Sequence, residues 1–114
     1  MSYPLSVHTQ ETDDTAIVAP QGEVDLATAA QLDEAIRRGA DRKPLVVLDL
    51  RQVEFMDSVG VKVLLAAELR SRDEGYALTL VRGGRAVQRI LELAGVDREL
   101  TFLPDPPVDE QPTG

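Results

Sequence analysis

The chain has 114 residues, enough for one domain with a real core and too few for two. Hydrophobic residues at 43% against 28% charged exclude a disordered chain, and aromatics at 4% leave a mostly aliphatic core. With 20 acidic residues against 12 basic ones the net charge is −8, which repels nucleic-acid phosphates and anionic headgroups, and the absence of cysteine excludes disulfides, thiolate catalysis and Cys-based zinc sites.

The N-terminal MSYPLSVHTQ has no basic start followed by a long apolar run, and nowhere do about 18 apolar residues follow one another. A soluble cytoplasmic protein is expected, with no membrane insertion and no direct nucleic-acid partner. Leu5, Val7 and Thr9 alternate with polar neighbours, ETDD is turn-like and TAIVAP is a compact apolar run, so the chain opens with a hairpin whose second strand Pro20 and Gly22 are expected to stop. In GEVDLATAAQLDEAIRRG the period changes: Leu32 and Ile36 lie four apart, Ala29 supports them, Gly39 closes the pattern and Thr28 with Gln31 fits a capping box. This predicts a helix of about three turns.

PLVVLDL (44–50) is a continuous aliphatic run after a proline, the mark of a central strand buried on both faces, and Val53 and Phe55 continue the apolar pattern after a short break. Asp49 within that run is costly unless it lies at the strand end or is hydrogen-bonded, and is expected to hold the loop leading to Met56 and Asp57. From Ser58 to Arg72 the pattern is helical, with Val61, Leu64 and Leu65 on a packing face and Val59, Lys62, Ala66, Arg70 and Asp73 on an available one. YALTLV predicts a further strand, and RAVQRILELAG a helix with core positions Val87, Ile90, Leu91 and Ala94 and a stop at Gly95; LTFL adds a last short strand. The domain is expected to span 1–103, followed by a flexible Pro-rich tail at 104–114. Strands alternating with helices after a hairpin imply an α/β domain: a mixed sheet of about four or five strands with helices packed on it.

Enzyme chemistry finds little support. His8, the single histidine, sits in a strand with no second ligand or triad partner. The pairs Asp13-Asp14, Asp33-Glu34 and Asp73-Glu74 fall in turns or on helix surfaces, where they read as solvated faces. RGGR (82–85) could hold an anion between strand and helix, but it lacks the lysine and hydroxyl of a phosphate-binding loop and reads better as a structural turn. No cofactor and no metal are expected, and a small ligand-binding or nucleotide-binding domain built on this turn is the weaker alternative.

EFMDSVGVKVLLAA (54–67) puts an acid and a hydroxyl where an apolar stretch becomes a helix. Either Asp57 or Ser58 can cap first-turn amides, worth about 1 kcal/mol. Capping alone does not require an exposed Val59 or a glycine at position 60, which is disfavoured in a helix and is expected to let another molecule approach. A hydroxyl at a helix start also suits phosphorylation, because the positive end of the helix tolerates the phosphate.

At these residues the sequence resembles the STAS domains (sulfate transporter and anti-sigma factor antagonist), especially the bacterial anti-sigma factor antagonists, over about residues 5–103. GEVDLATAAQLDEAI is similar to the family's loop and first helix, VVLDLRQVEFMDSVGVKVLL to its central signature, and LVRGGRAVQRILELAGVDRELTFLP to its closing segment, in matching order. The resemblance implies that Ser58 is phosphorylated by a cognate serine kinase that doubles as the anti-sigma factor, and that unphosphorylated protein binds this kinase and releases a sigma factor. It also implies that the Gly22 to Asp25 loop lies near Ser58, with Glu23 and Asp25 joining Asp57, Val59, Gly60, Lys62 and Ala66 in the partner surface, and that a serine phosphatase resets the site. Two positions depart from the family pattern: Val59 stands where a small hydroxyl residue is common and Lys62 where glycine or arginine is common, which bears on which kinase is recognised. Within the same fold, the alternative is a non-switching scaffold subunit of a lipid-transport or stress-signalling complex.

Overall fold

The computed structural model describes residues 4–104. In chain order the elements are β1 (Ser6–Glu11), β2 (Thr15–Val24), α1 (Ala29–Arg42), β3 (Leu45–Asp49), β4 (Val53–Met56), α2 (Ser58–Glu74), β5 (Ala77–Val81) and α3 (Arg85–Leu93). The hairpin β1-β2 is antiparallel, and β3, β4 and β5 are all parallel to β2, as the helical crossovers α1 and α2 require.

Strand order is β1-β2-β3-β5, with β4 also paired to β2. Residues 15–18 of β2 lie beside residues 45–48, and Gly22 to Val24 lie beside Val53 to Met56, so β3 and β4 follow one another in line along the long strand. Between them the chain steps over a tight turn that Asp49 organises. That carboxylate accepts from the backbone N–H of Arg51 at 3.1 Å and from its guanidinium at 3.0 and 2.7 Å. Burial pushes the Asp49 carboxyl up, but the hydrogen bonds from Arg51 and its charge overcome this and hold it below the usual value.

One main core joins the inward faces of all three helices to the sheet: Leu32 and Ile36 of α1, Val61 and Leu64 of α2, and Val87 and Leu91 of α3 meet Val18, Val46, Leu48 and Leu80. A smaller cluster of Ile17, Val47 and Val81 occupies the other face. The strict alternation of Val46, Val47 and Leu48 between the two explains why this strand is apolar throughout.

Several expectations are corrected. The second strand does not stop at Pro20 and Gly22 but continues to Val24. Pro20 stands between the last pairing to β3 at Val18 and the first to β4 at Gly22, where a missing N–H interrupts no ladder on that side. Gly22 takes φ +114 at the register shift, which an L side chain resists. Gly39 does not close α1, which runs on to Arg42; it is buried, and a Cβ there would sit 3.1 Å from Ala16 Cβ, so it lets the helix lie close on β2. The Thr28–Gln31 capping box is absent: Thr28 Oγ1 donates to Glu23 O, and Gln31 Nε2 reaches across to Leu5 O. Phe55 and Ala94 are exposed rather than core. The last strand reduces to one bridge between Leu80 and Phe102, with Arg82 over the Phe102 ring, and the expected tail lies beyond the described residues from position 105 on.

Candidate functional site

The junction between β4 and α2 is set by pairing. Met56 is in register with Val24, and the next backbone N–H, that of Asp57, donates to Val24 O at 3.1 Å. Asp57 then ends the strand and starts the helix. Its Oδ1 accepts from the N–H groups of Val59 at 2.9 Å and Gly60 at 3.2 Å, and its carbonyl accepts from Val61 N–H at 3.1 Å. Ser58 is the first helical residue, its side chain is exposed, and its hydroxyl makes no hydrogen bond among the described residues. The acid therefore does the capping and the hydroxyl is left over.

Gly60 belongs to the interior. A Cβ at this position would come within 2.5 Å of Met56 Cγ and 3.0 Å of Val24 Cγ1, so the glycine brings the first turn of α2 onto the strands rather than admitting an outside molecule, correcting the expectation of a partner contact. Val59, expected to be exposed, is half-buried.

The outward face of α2 forms one wall of a shallow groove whose other wall is α1. Val59, Lys62, Ala66 and Arg70 line it from α2, and Ala30, Asp33 and Arg37 from α1. Asp33, expected to be simply solvated, pairs with Arg37 Nε at 2.9 Å and with Arg70 at 3.3 Å. Arg70 is not available as expected, since only 12% of its side chain is exposed. Lys62 is exposed and has no carboxylate partner among the described residues.

Around the end of β2 lies an acidic rim. The β2-β4 pairing brings Glu23 and Asp25 to the same end of the sheet as Asp57. Both are half-buried, and Asp25 Oδ1 is engaged locally by the N–H groups of Ala27 at 3.0 Å and Thr28 at 3.2 Å, closing the turn into α1. At the tip of this turn Leu26 is 78% exposed. Sequence reasoning passed over it; the available signal was a leucine directly after a turn-forming Asp and ahead of the helical pattern, where helix periodicity cannot bury it. The structure thus brings together Ser58, Asp57, Val59, Lys62, Ala66 and the end of β2, and removes Gly60 from the set.

The remaining candidates are structural. Gly83 N–H donates to Gln88 Oε1 at 3.1 Å and a Cβ on Gly83 would lie 2.9 Å from Leu50 O, so RGGR is a packed turn. His8 is exposed on β1. Among the described residues no group of three or more His, Cys, Asp or Glu side chains could hold a metal ion, and no helix is long and apolar enough to cross a membrane.

A five-stranded mixed sheet with three helices on its main core is the architecture of a known family. The STAS domain family model matches residues 6–108, and the chain belongs to this family, grouping with its bacterial anti-sigma factor antagonists. It is 37% identical over 101 residues to the anti-sigma-F factor antagonist RsfB of Mycobacterium tuberculosis, spanning 86% of this chain and 82% of that one. A crystal structure of an anti-sigma factor antagonist from Mycobacterium paratuberculosis superposes with a TM-score of 0.78 at 32% identity, covering 92% of both chains. The Bacillus cell fate determinant SpoIIAA in its phosphorylated form shares the fold at 16% identity and a TM-score of 0.65, covering 88% of this chain and 93% of the other.

Proposed function

We propose that this chain is a cytoplasmic anti-sigma factor antagonist that works as a protein substrate and competitor, not as an enzyme. In the unmodified state Ser58, Val59, Lys62 and Ala66, with the end of β2 at Glu23 and Asp25, dock a serine kinase that doubles as an anti-sigma factor, and a sigma factor is freed. The kinase supplies ATP, magnesium and the general base, phosphorylates Ser58 and so releases the antagonist, and a serine phosphatase resets it.

The observation that supports this reading is the division of labour at the helix start. Because Asp57 holds the first-turn amides, Ser58 can be modified without unfolding α2. A phosphate adds roughly −1.5 to −2 charges beside Asp57 and the acidic rim. Pressing it against a surface shaped for a hydroxyl costs roughly 3 to 4 kcal/mol, a several-hundredfold loss of affinity, with no change of fold.

Affinity capture from cells of the source organism tests it, with Ser58→Ala and Ser58→Asp chains as baits. An ATP-binding kinase recovered by the alanine bait alone, which phosphorylates the native chain at Ser58, is the expected result. Equal recovery of the same partners by both baits would overturn the switch and leave a constitutive scaffold.

A further inference from the structure

We infer that phosphorylation of Ser58 captures Lys62, so that the switch adds a charge and at the same time withdraws the one uncommitted cation of the α1-α2 groove. The inference rests on the Ser58 reading above and adds to it how the modified state is organised.

Three observations lead to it. First, two of the backbone donors that would ordinarily receive an anion here are taken: Val59 and Gly60 N–H both go to Asp57 Oδ1. With those two amides taken, a full counter-charge for a phosphate on Ser58 comes from a side-chain cation. Second, of the cations lining the groove, Arg37 and Arg70 are both committed to Asp33, and Lys62 alone has no carboxylate partner among the described residues. Third, Ser58 and Lys62 are both helical, exposed and four residues apart on α2. That spacing brings Cβ atoms to about 5–6 Å, and an acid one turn N-terminal to a base is the favourable order. Asp57, the preceding residue, and Glu23 and Asp25 at the same end of the sheet are acidic and offer the phosphate no counter-charge.

In the unmodified protein Lys62 stands free beside Val59 and Ala66, in a molecule of net charge −8, and suits a carboxylate of the partner. Once Ser58 is phosphorylated, the ammonium turns to the phosphate by a charge-assisted hydrogen bond and that contact is withdrawn. Lys62 is a positioning residue: it reacts with nothing.

The test requires neither kinase nor partner. Phosphoserine is installed at position 58 by genetic encoding in the native chain and in Lys62→Gln and Lys62→Arg variants, and the phosphate is titrated by phosphorus NMR. A neighbouring cation favours the dianion, so the second ionisation should fall about half a pH unit lower with Lys62 than with Lys62→Gln, roughly a threefold shift in the ratio of the two forms. Lys62→Arg should keep most of the shift, and about 1 M salt should abolish it. Coincident titrations of the native and glutamine chains at low salt would overturn the pairing while leaving the switch standing. Failure of every captured kinase to modify Ser58 would remove the switch without touching the titration. Because Lys62 is exposed, unchanged amide spectra of the variants verify that the fold is not what moved.

Discussion

Two strand-to-helix junctions lie at the same end of the sheet, β4 into α2 at Asp57 and β5 into α3 at Gly84, and the chain solves them in opposite ways. At the first, a side chain caps the helix, and the neighbouring hydroxyl projects into solvent. At the second, Gly84 caps without any side-chain bond, Gln88 Oε1 reaches back to Gly83 N–H, and Gly83 packs beneath Leu50 O. One junction is closed on itself and the other leaves chemistry over. That difference, rather than the shared geometry, separates the proposed recognition site from a packed turn.

The largest expected effects come from closing space at each junction. Gly83→Ala sets a Cβ 2.9 Å from a backbone carbonyl that cannot move without shifting the β3-β4 turn, and should cost about 2–3 kcal/mol in urea unfolding. Gly60→Ala sets a Cβ 2.5 Å from Cγ of the buried Met56 and 3.0 Å from Val24 Cγ1, and should cost a similar amount, about 2–3 kcal/mol. Gly84→Ala, with nothing within 4 Å, should stay within about 0.5 kcal/mol. Equal losses at Gly83 and Gly84 would remove the distinction between packed and open positions.

These glycines also show what the sequence discloses. The aliphatic run at 44–50, the four-residue spacing of Leu32 and Ile36 and the helical pattern after Ser58 identify β3, α1 and α2, because burial imposes the period on the side chains themselves. Gly39, Gly60 and Pro20 misled because their roles depend on a neighbour in space. Gly39 is small for Ala16, Gly60 is small for Met56, and Pro20 is tolerated where β2 changes partners. Asp57 and Ser58 were legible as a pair, but the choice of which one caps needed the positions of the Val59 and Gly60 amides. The groove was half legible: Lys62 and Ala66 followed from α2, whereas Asp33 and Arg37 required knowing that α1 packs beside it.

The turn between β3 and β4 ties the end of β5 to the bend in β2, since Leu50 N–H donates to Val81 O at 3.2 Å and Gln52 O accepts from Gly22 N–H at 3.2 Å. Asp49 is its fixed point. Its folded pKa lies below the unfolded value of about 3.9, so its contribution is complete above that value and is lost as pH falls through the folded one. Asp49→Asn should cost about 1–2 kcal/mol at neutral pH, and the gap to the native chain should hold down to about pH 5 and narrow below about pH 4. A gap independent of pH would mean that Arg51 is held by packing and not by the carboxylate.

The smallest effect is the most discriminating one. If Asp57 is the cap, Asp57→Ala strips the acceptor from two first-turn amides and should cost about 1 kcal/mol. Ser58→Ala removes an exposed hydroxyl that makes no hydrogen bond among the described residues, and should leave stability within about 0.5 kcal/mol. A loss at Ser58 as large as that at Asp57 would make the serine part of the cap after all. The two junctions would then differ only in residue type, and Ser58 could not be modified without unsettling the first turn of α2. A null effect at Ser58 beside a clear one at Asp57 means that the fold has no use for this hydroxyl, as the proposed modification at Ser58 requires.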